Sequence, residues 1–169
     1  MSAAPPVEIV LKPGEFAVAA GGTRMRTLLG SCVSIVLWNA RLRVGAMSHF
    51  LLAERGQASS GPPDARYGDE ALSLMIAGLA RYGVAPGGCE GKIFGGGDMF
   101  PAQSQRGPLN VGRRNGEAAR ELLRDRGIAV ASENLFGVGH RQIVFDVATG
   151  NVWVKQGAVP SGFSSLEPR

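Results

Sequence analysis

Twenty-five of the 169 residues are glycine, and the clusters Gly21-Gly22, Gly87-Gly88 and Gly95-Gly96-Gly97 limit what the chain can build. Such clusters mark tight turns or places where backbones approach closely. The chain must therefore fold as short segments joined by glycine turns. No internal repeat or low-complexity block interrupts it. With 44% hydrophobic and 19% charged residues, disordered, coiled-coil and collagen-like classes are excluded. The length fits a single domain over residues 1–169, with a folded body at about 7–157, a frayed start and a flexible tail in the Pro160–Ser165 region.

Two segments carry helical periodicity. From Asp69, the residues Leu72, Met75, Ile76 and Leu79 recur at i, i+3, i+4 and i+7, with acidic residues at the start and Gly83 past the end. A second helix runs from about Arg113 or Asn115 to Arg126, with Ala118, Leu122 and Leu123 on one side and Gly127 as its stop. Strand-like runs are Val7–Leu11, Phe16–Ala19, Cys32–Trp38, Val44–Leu52, Lys92–Phe94, Ile128–Glu133, Gln142–Val147 and Val152–Gln156. Strands outnumber helices. The expected class is α/β: a mixed, largely antiparallel β-sheet sandwich covered by two to three helices.

The formal net charge of +4 comes from basic residues scattered between Lys12 and Arg169 with no long run, so no nucleic-acid partner is expected. The longest uncharged stretch, Thr27–Ala40, is too short to span a bilayer, and the start lacks the layout of a secretion signal. A cytoplasmic protein, not embedded in a membrane, is the expectation. In that compartment Cys32 and Cys89 remain thiols. With His49 and His140 they lack compact ligand spacing, so no metal is expected. Gly95-Gly96-Gly97 is not followed by Lys-Ser/Thr and reads as a wall of a site, not a phosphate cradle.

The chemistry concentrates in Thr27–Trp38 and Val44–Phe50. These segments read as a hairpin, and a turn centred between Ala40 and Arg41 pairs positions whose numbers sum to 81, which sets Cys32 opposite His49. Residues so paired have Cβ atoms about 4.5–5.5 Å apart, and a one-residue slip would break the pairing. A thiol beside an imidazole suits attack on a carbonyl, and an adjacent imidazolium would lower the thiol pKa. Gly30 and Ser31 would turn the chain and present N–H groups to an oxyanion. Thr27 could orient the histidine. Asn110 and Arg113, with Asn115, either contact a substrate or cap and anchor the second helix. A cysteine opening an apolar strand is also a common core residue, and both readings stand on these residues alone.

Leu29-Gly30-Ser31-Cys32-Val33, with His49 seventeen residues after the cysteine, resembles the chemoreceptor glutamine deamidases of bacterial chemotaxis, the CheD family. Three further segments resemble that family in order: Tyr67-Gly68-Asp69-Glu70-Ala71, Lys92–Phe100 and Asn110-Val111-Gly112-Arg113-Arg114-Asn115. The resemblance implies a Cys-His-Thr triad of Cys32, His49 and Thr27, a fold similar to cytotoxic-necrotizing-factor-type cysteine hydrolases, and no cofactor. It implies deamidation of glutamines in the cytoplasmic helical region of methyl-accepting chemoreceptors. An adaptor phosphatase of the chemotaxis response regulator is a further implied partner, and docking with little catalysis is the alternative reading. In some members the threonine stands six positions before the cysteine. Here that position is Arg26, and Thr27 stands five before. A second departure, Glu133–Arg141, makes His140 a loop residue, not a second base.

Overall fold

The computed structural model describes residues 4–57, 61–101, 110–157 and 167–168. The described residues form three layers: two five-stranded sheets face to face, and two long helices on the outer side of one of them. The first sheet is ordered β1 (Val7–Val10), β3 (Thr23–Leu29), β8 (Arg141–Asp146), β9 (Val152–Gln156) and β10 (Glu167–Pro168). The second is ordered β2 (Phe16–Ala20), β5 (Val44–Ser48), β4 (Val33–Asn39), β6 (Glu90–Gly95) and β7 (Ala129–Leu135). Among the described strands, β1–β3 and β6–β7 pair in parallel and the others antiparallel. The helices are α1 (Gly68–Ala80) and α2 (Val111–Asp125). The α/β sandwich expected from the sequence is the fold observed.

Burial explains why β4 reads as a continuous apolar run. Val33, Ile35 and Leu37 face the helices, packing with Ala71, Leu72, Met75, Leu79, Ala119 and Leu123. Val36 faces the other sheet and packs with Met25, Leu29, Met47, Ile143 and Phe145. A strand covered on both faces has no reason to alternate with polar residues. The helices need only one apolar stripe each, which is the periodicity visible in the sequence.

The structure departs from the sequence reading at three places. Strand β3 was not expected. It alternates strictly, with Met25, Thr27 and Leu29 buried and Leu28 exposed, but its outward Arg24 and Arg26 and its inward threonine obscure the apolar signal. The β4–β5 hairpin also has a different register. Val36 pairs with Met47 and Asn39 with Val44, so paired numbers sum to 83. The turn is displaced because β4 continues to Asn39, whose Oδ1 accepts from the Leu42 N–H at 2.9 Å, and Arg43 takes a left-handed φ of 51°. Finally, Glu167–Pro168 pairs with Trp153–Val154 of β9. The remainder of the expected tail lies outside the described residues.

Candidate active site

Cys32 and His49 are not direct cross-strand partners, because Val33 bridges Phe50 and the next positions are Cys32 with Leu51 on one side and Ser34 with His49 on the other. The register differs from expectation by two, an even number, so both residues stay on the same face. They are diagonal neighbours, a relation that places Cα atoms about 7–8 Å apart. That face is the one turned toward the β3 sheet, where Thr27 points inward between Met25 and Leu29. The three residues thus meet at one end of the sandwich seam, and each sheet contributes.

Thr27 and His49 are 3% and 2% exposed, whereas Cys32 is half-buried and lies nearest the surface. Thr27 Oγ1 lies 2.7 Å from His49 Nδ1 and 2.8 Å from the Leu11 carbonyl. A hydroxyl has one proton, and the carbonyl can only accept. Thr27 therefore donates to Leu11 and accepts from Nδ1–H. The imidazole proton is fixed on Nδ1, and Nε2 keeps its lone pair. The backbone of His49 is also held, its N–H donating to Glu15 O at 3.0 Å and its carbonyl accepting from Gly14 N at 2.8 Å. The spacing of five residues between Thr27 and Cys32 thus still brings the hydroxyl to the ring.

Burial dominates the electrostatics. Desolvation pushes His49 down to about 4 and pushes the Cys32 thiol up. The pair rests as neutral imidazole and neutral thiol, contrary to the expectation of a thiol activated by a standing imidazolium. Among the described residues, no hydrogen bond links Sγ to the ring.

The buried neutral His49 has a thermodynamic consequence. An unfolded chain takes up the proton near pH 6.5, while the fold resists it to about pH 4. Stability falls as the pH drops through this window, by roughly 3 kcal/mol at most, and no further below it. Denaturant unfolding at pH 7 and pH 4.5 should show this loss in the parent and a smaller one in His49→Gln. Equal losses in both proteins would contradict the assignment.

The turn before Cys32 is fastened through its carbonyls. Gly30 O accepts from Gly97 N at 2.9 Å and Cys32 O from Gly96 N at 2.9 Å, while Ser31 O accepts from Asn115 Nδ2 at 3.2 Å. Among the described residues, the N–H groups of Ser31 and Cys32 have no acceptor, which leaves them available to a developing oxyanion. The Gly95–Gly97 run lies directly behind the turn, and Met99 covers Gly30: a Cβ there would stand 3.2 Å from its sulfur.

Asn110 and Arg113 are placed elsewhere. Asn110 Oδ1 accepts from Arg113 N at 3.0 Å and caps α2. The Arg113 guanidinium stacks 4.6 Å from the Phe136 ring centroid and pairs with Glu117. Both line a shallow cavity of about 170 Å³ with Gly96, Phe136 and Gly137, and their hydrogen bonds and ion pair go to each other and to Glu117, not to Thr27, Cys32 or His49. His140 is an exposed loop residue, and Cys89 is buried with its thiol toward Ala85 O. The sequence reading did not single out the Leu11 carbonyl, a main-chain group with no sequence signal. It weighed Asn115 only as a cap or substrate contact. The available signal was a polar amide on the buried stripe of α2.

A half-buried thiol, an imidazole with a fixed tautomer and a hydroxyl that fixes it are groups of the kind that a cysteine hydrolase uses for acyl transfer. Comparison with known proteins narrows the class. The family profile described as CheD chemotactic sensory transduction matches residues 51–156. Probable chemoreceptor glutamine deamidase CheD 2 of Albidiferax ferrireducens is 58% identical over 161 residues, covering 95% of this chain and 92% of its own. Probable chemoreceptor glutamine deamidase CheD 3 of Dechloromonas aromatica is 42% identical, covering 96% and 94%. The crystal structure of Bacillus licheniformis hypothetical protein YfiH covers 70% of this chain and 47% of its own at a TM-score of 0.40 and 13% identity, so this chain spans about half the length of that one. The chain belongs to the CheD family.

Proposed function

We propose that this chain is a chemoreceptor glutamine deamidase, in which Cys32, His49 and Thr27 convert receptor glutamine side chains to glutamate. The observation that carries the mechanism is the 2.7 Å contact of Thr27 Oγ1 with His49 Nδ1, which leaves Nε2 as the base on the face shared with Cys32. The names of the relatives support the substrate. As Sγ attacks the carboxamide carbon, Nε2 takes the thiol proton and the Ser31 and Cys32 N–H groups receive the oxyanion. The tetrahedral intermediate collapses to a thioester as the imidazolium protonates the departing nitrogen, which leaves as ammonia. Water, deprotonated by Nε2, then attacks the thioester, releasing the carboxylate and restoring the thiol.

Each conversion adds a negative charge to the receptor, and that charge is the signal. Asn110 and Arg113 act by seating the start of α2, not by touching the scissile group. The site of action is the cytoplasmic helical region of the receptor. No described helix of this chain is long and apolar enough to cross a membrane. Incubation with a purified receptor cytoplasmic domain tests the reading: glutaminyl sites becoming glutamyl supports it. Binding of the domain, or of an adaptor phosphatase, without conversion supports a docking role instead.

The role of Thr27 is separable from its shape. Thr27→Val keeps the branched side chain but cannot accept from Nδ1–H, and it should lower turnover about 10- to 100-fold. Thr27→Ser keeps the hydroxyl and should remain within a few-fold of the parent. A fully active valine variant, measured beside the serine variant on the same receptor domain, would reduce the triad to a dyad.

A further inference from the structure

Beyond the Val33–Phe50 bridge the two chains that carry the nucleophile and the base part company. Val33 and Phe50 exchange both ladder bonds, so Cys32 and Leu51 form a non-hydrogen-bonded pair whose polar groups point outward: Leu51 N donates to Arg66 O at 2.8 Å and the Cys32 carbonyl accepts from Gly96 N. The next hydrogen-bonded rung would be Ser31 with Leu52, and it is not made, because Leu52 N donates to Arg66 O at 3.2 Å. At that open rung stands Asn115, 2% exposed on α2. Its single Nδ2 group donates to Ser31 O at 3.2 Å and to Leu51 O at 2.8 Å. One proton holds the residue before Cys32, and the other holds the chain two residues after His49. Ala119 and Leu123 fix the helix behind it in the core.

We infer that Asn115 is a positioning residue for the deamidation: its carboxamide replaces the missing rung and sets the spacing of Cys32 from His49. No other described side chain donates to both arms. A continued ladder would occupy the Ser31 N–H, whereas a side chain from a separate, packed helix holds both arms through their carbonyls and leaves the N–H groups of Ser31 and Cys32 free. Misplacement of reacting groups by about 1 Å can cost about 100-fold in rate. The inference rests on the deamidase reading for its turnover measurement but not for its thiol measurement.

The test is Asn115→Asp, which keeps the shape and sets carboxylate oxygens against two carbonyls in place of the two donors. On a receptor cytoplasmic domain, kcat should fall about 100-fold with KM within about twofold, in protein that remains folded by circular dichroism. The second measurement is the alkylation rate of Cys32 by iodoacetamide, made in the parent and in a His49→Ala background. Asn115→Asp should slow alkylation where His49 is present and leave it unchanged where His49 is absent, since two changes to one unit are not additive. Equal changes in both backgrounds, or a kcat loss that tracks only the unfolded fraction, would overturn the inference. Should the aspartate variant not fold, Asn115→Ala carries the same two expectations. A parent protein that converts no receptor glutamine would overturn the deamidase reading, and the alkylation measurement would then decide on Asn115 alone.

Discussion

Cys32→Ala should abolish receptor deamidation, by about 10⁴-fold or more, while leaving the fold in place. The thiol is half-buried and lies at the open end of the sheet seam, so its removal takes little from the core. Without sulfur no thioester forms, and His49 has no proton to accept. Cys89→Ala serves as the control. That thiol is buried beside the turn at Pro86–Gly88, with Ala85 O as its partner, and its loss should leave turnover near the parent's. Equal loss of activity from the two variants, both folded, would remove Cys32 from the role of nucleophile.

The second large effect is expected from a residue that does no chemistry. Gly95 ends β6 with φ of +110°, and a Cβ there would lie 2.3 Å from the Cys32 carbonyl oxygen and 3.2 Å from the Val33 Cα. Both neighbours are main chain, and neither can move without carrying the nucleophile turn with it. Gly95→Ala thus combines a disfavoured φ with a backbone clash, and a loss of about 3 kcal/mol or more in folding stability is expected, with turnover lost in whatever folds. Gly87→Ala is the matching control. Its Cβ would meet nothing within 4 Å, and its cost should stay within about 0.5 kcal/mol. Guanidinium midpoints for the two variants decide the matter, and a Gly95→Ala protein within 1 kcal/mol of the parent would contradict the role assigned to the glycine run.

What could be read from the sequence followed from periodicity. The helices α1 and α2 show their buried stripes through Leu72, Met75 and Leu79, and through Leu123. Strand β9 shows its bounds at Val152 and Gln156. β3 escaped because its outward Arg24 and Arg26 are charged, and because its buried polar residue, Thr27, is there for His49 and not for the core. The pairing of Cys32 with His49 was inferred through a register that is two residues off, and the shared face survived only because a sheet repeats every two residues. The true register depends on an Asn39 side chain bonding into its own turn, which hydrophobic pattern cannot reveal. The resting state of the pair was equally hidden: how deeply an imidazole is desolvated depends on both sheets closing over it. Asn115 was visible as a polar residue in a helix, but its two acceptors are main-chain carbonyls 84 and 64 positions away.

Central to the account is a covalent thioester at Cys32, opened by water. Its most direct measurement is a reaction of the parent protein with a purified receptor cytoplasmic domain in ¹⁸O-labelled water, with ammonia assayed and receptor peptides analysed by mass. The account predicts one ammonia and one labelled oxygen for each glutamate formed, with a receptor adduct on the Cys32 peptide captured by acid quench. Glutamate formation with no adduct, and undiminished in Cys32→Ala, would contradict it.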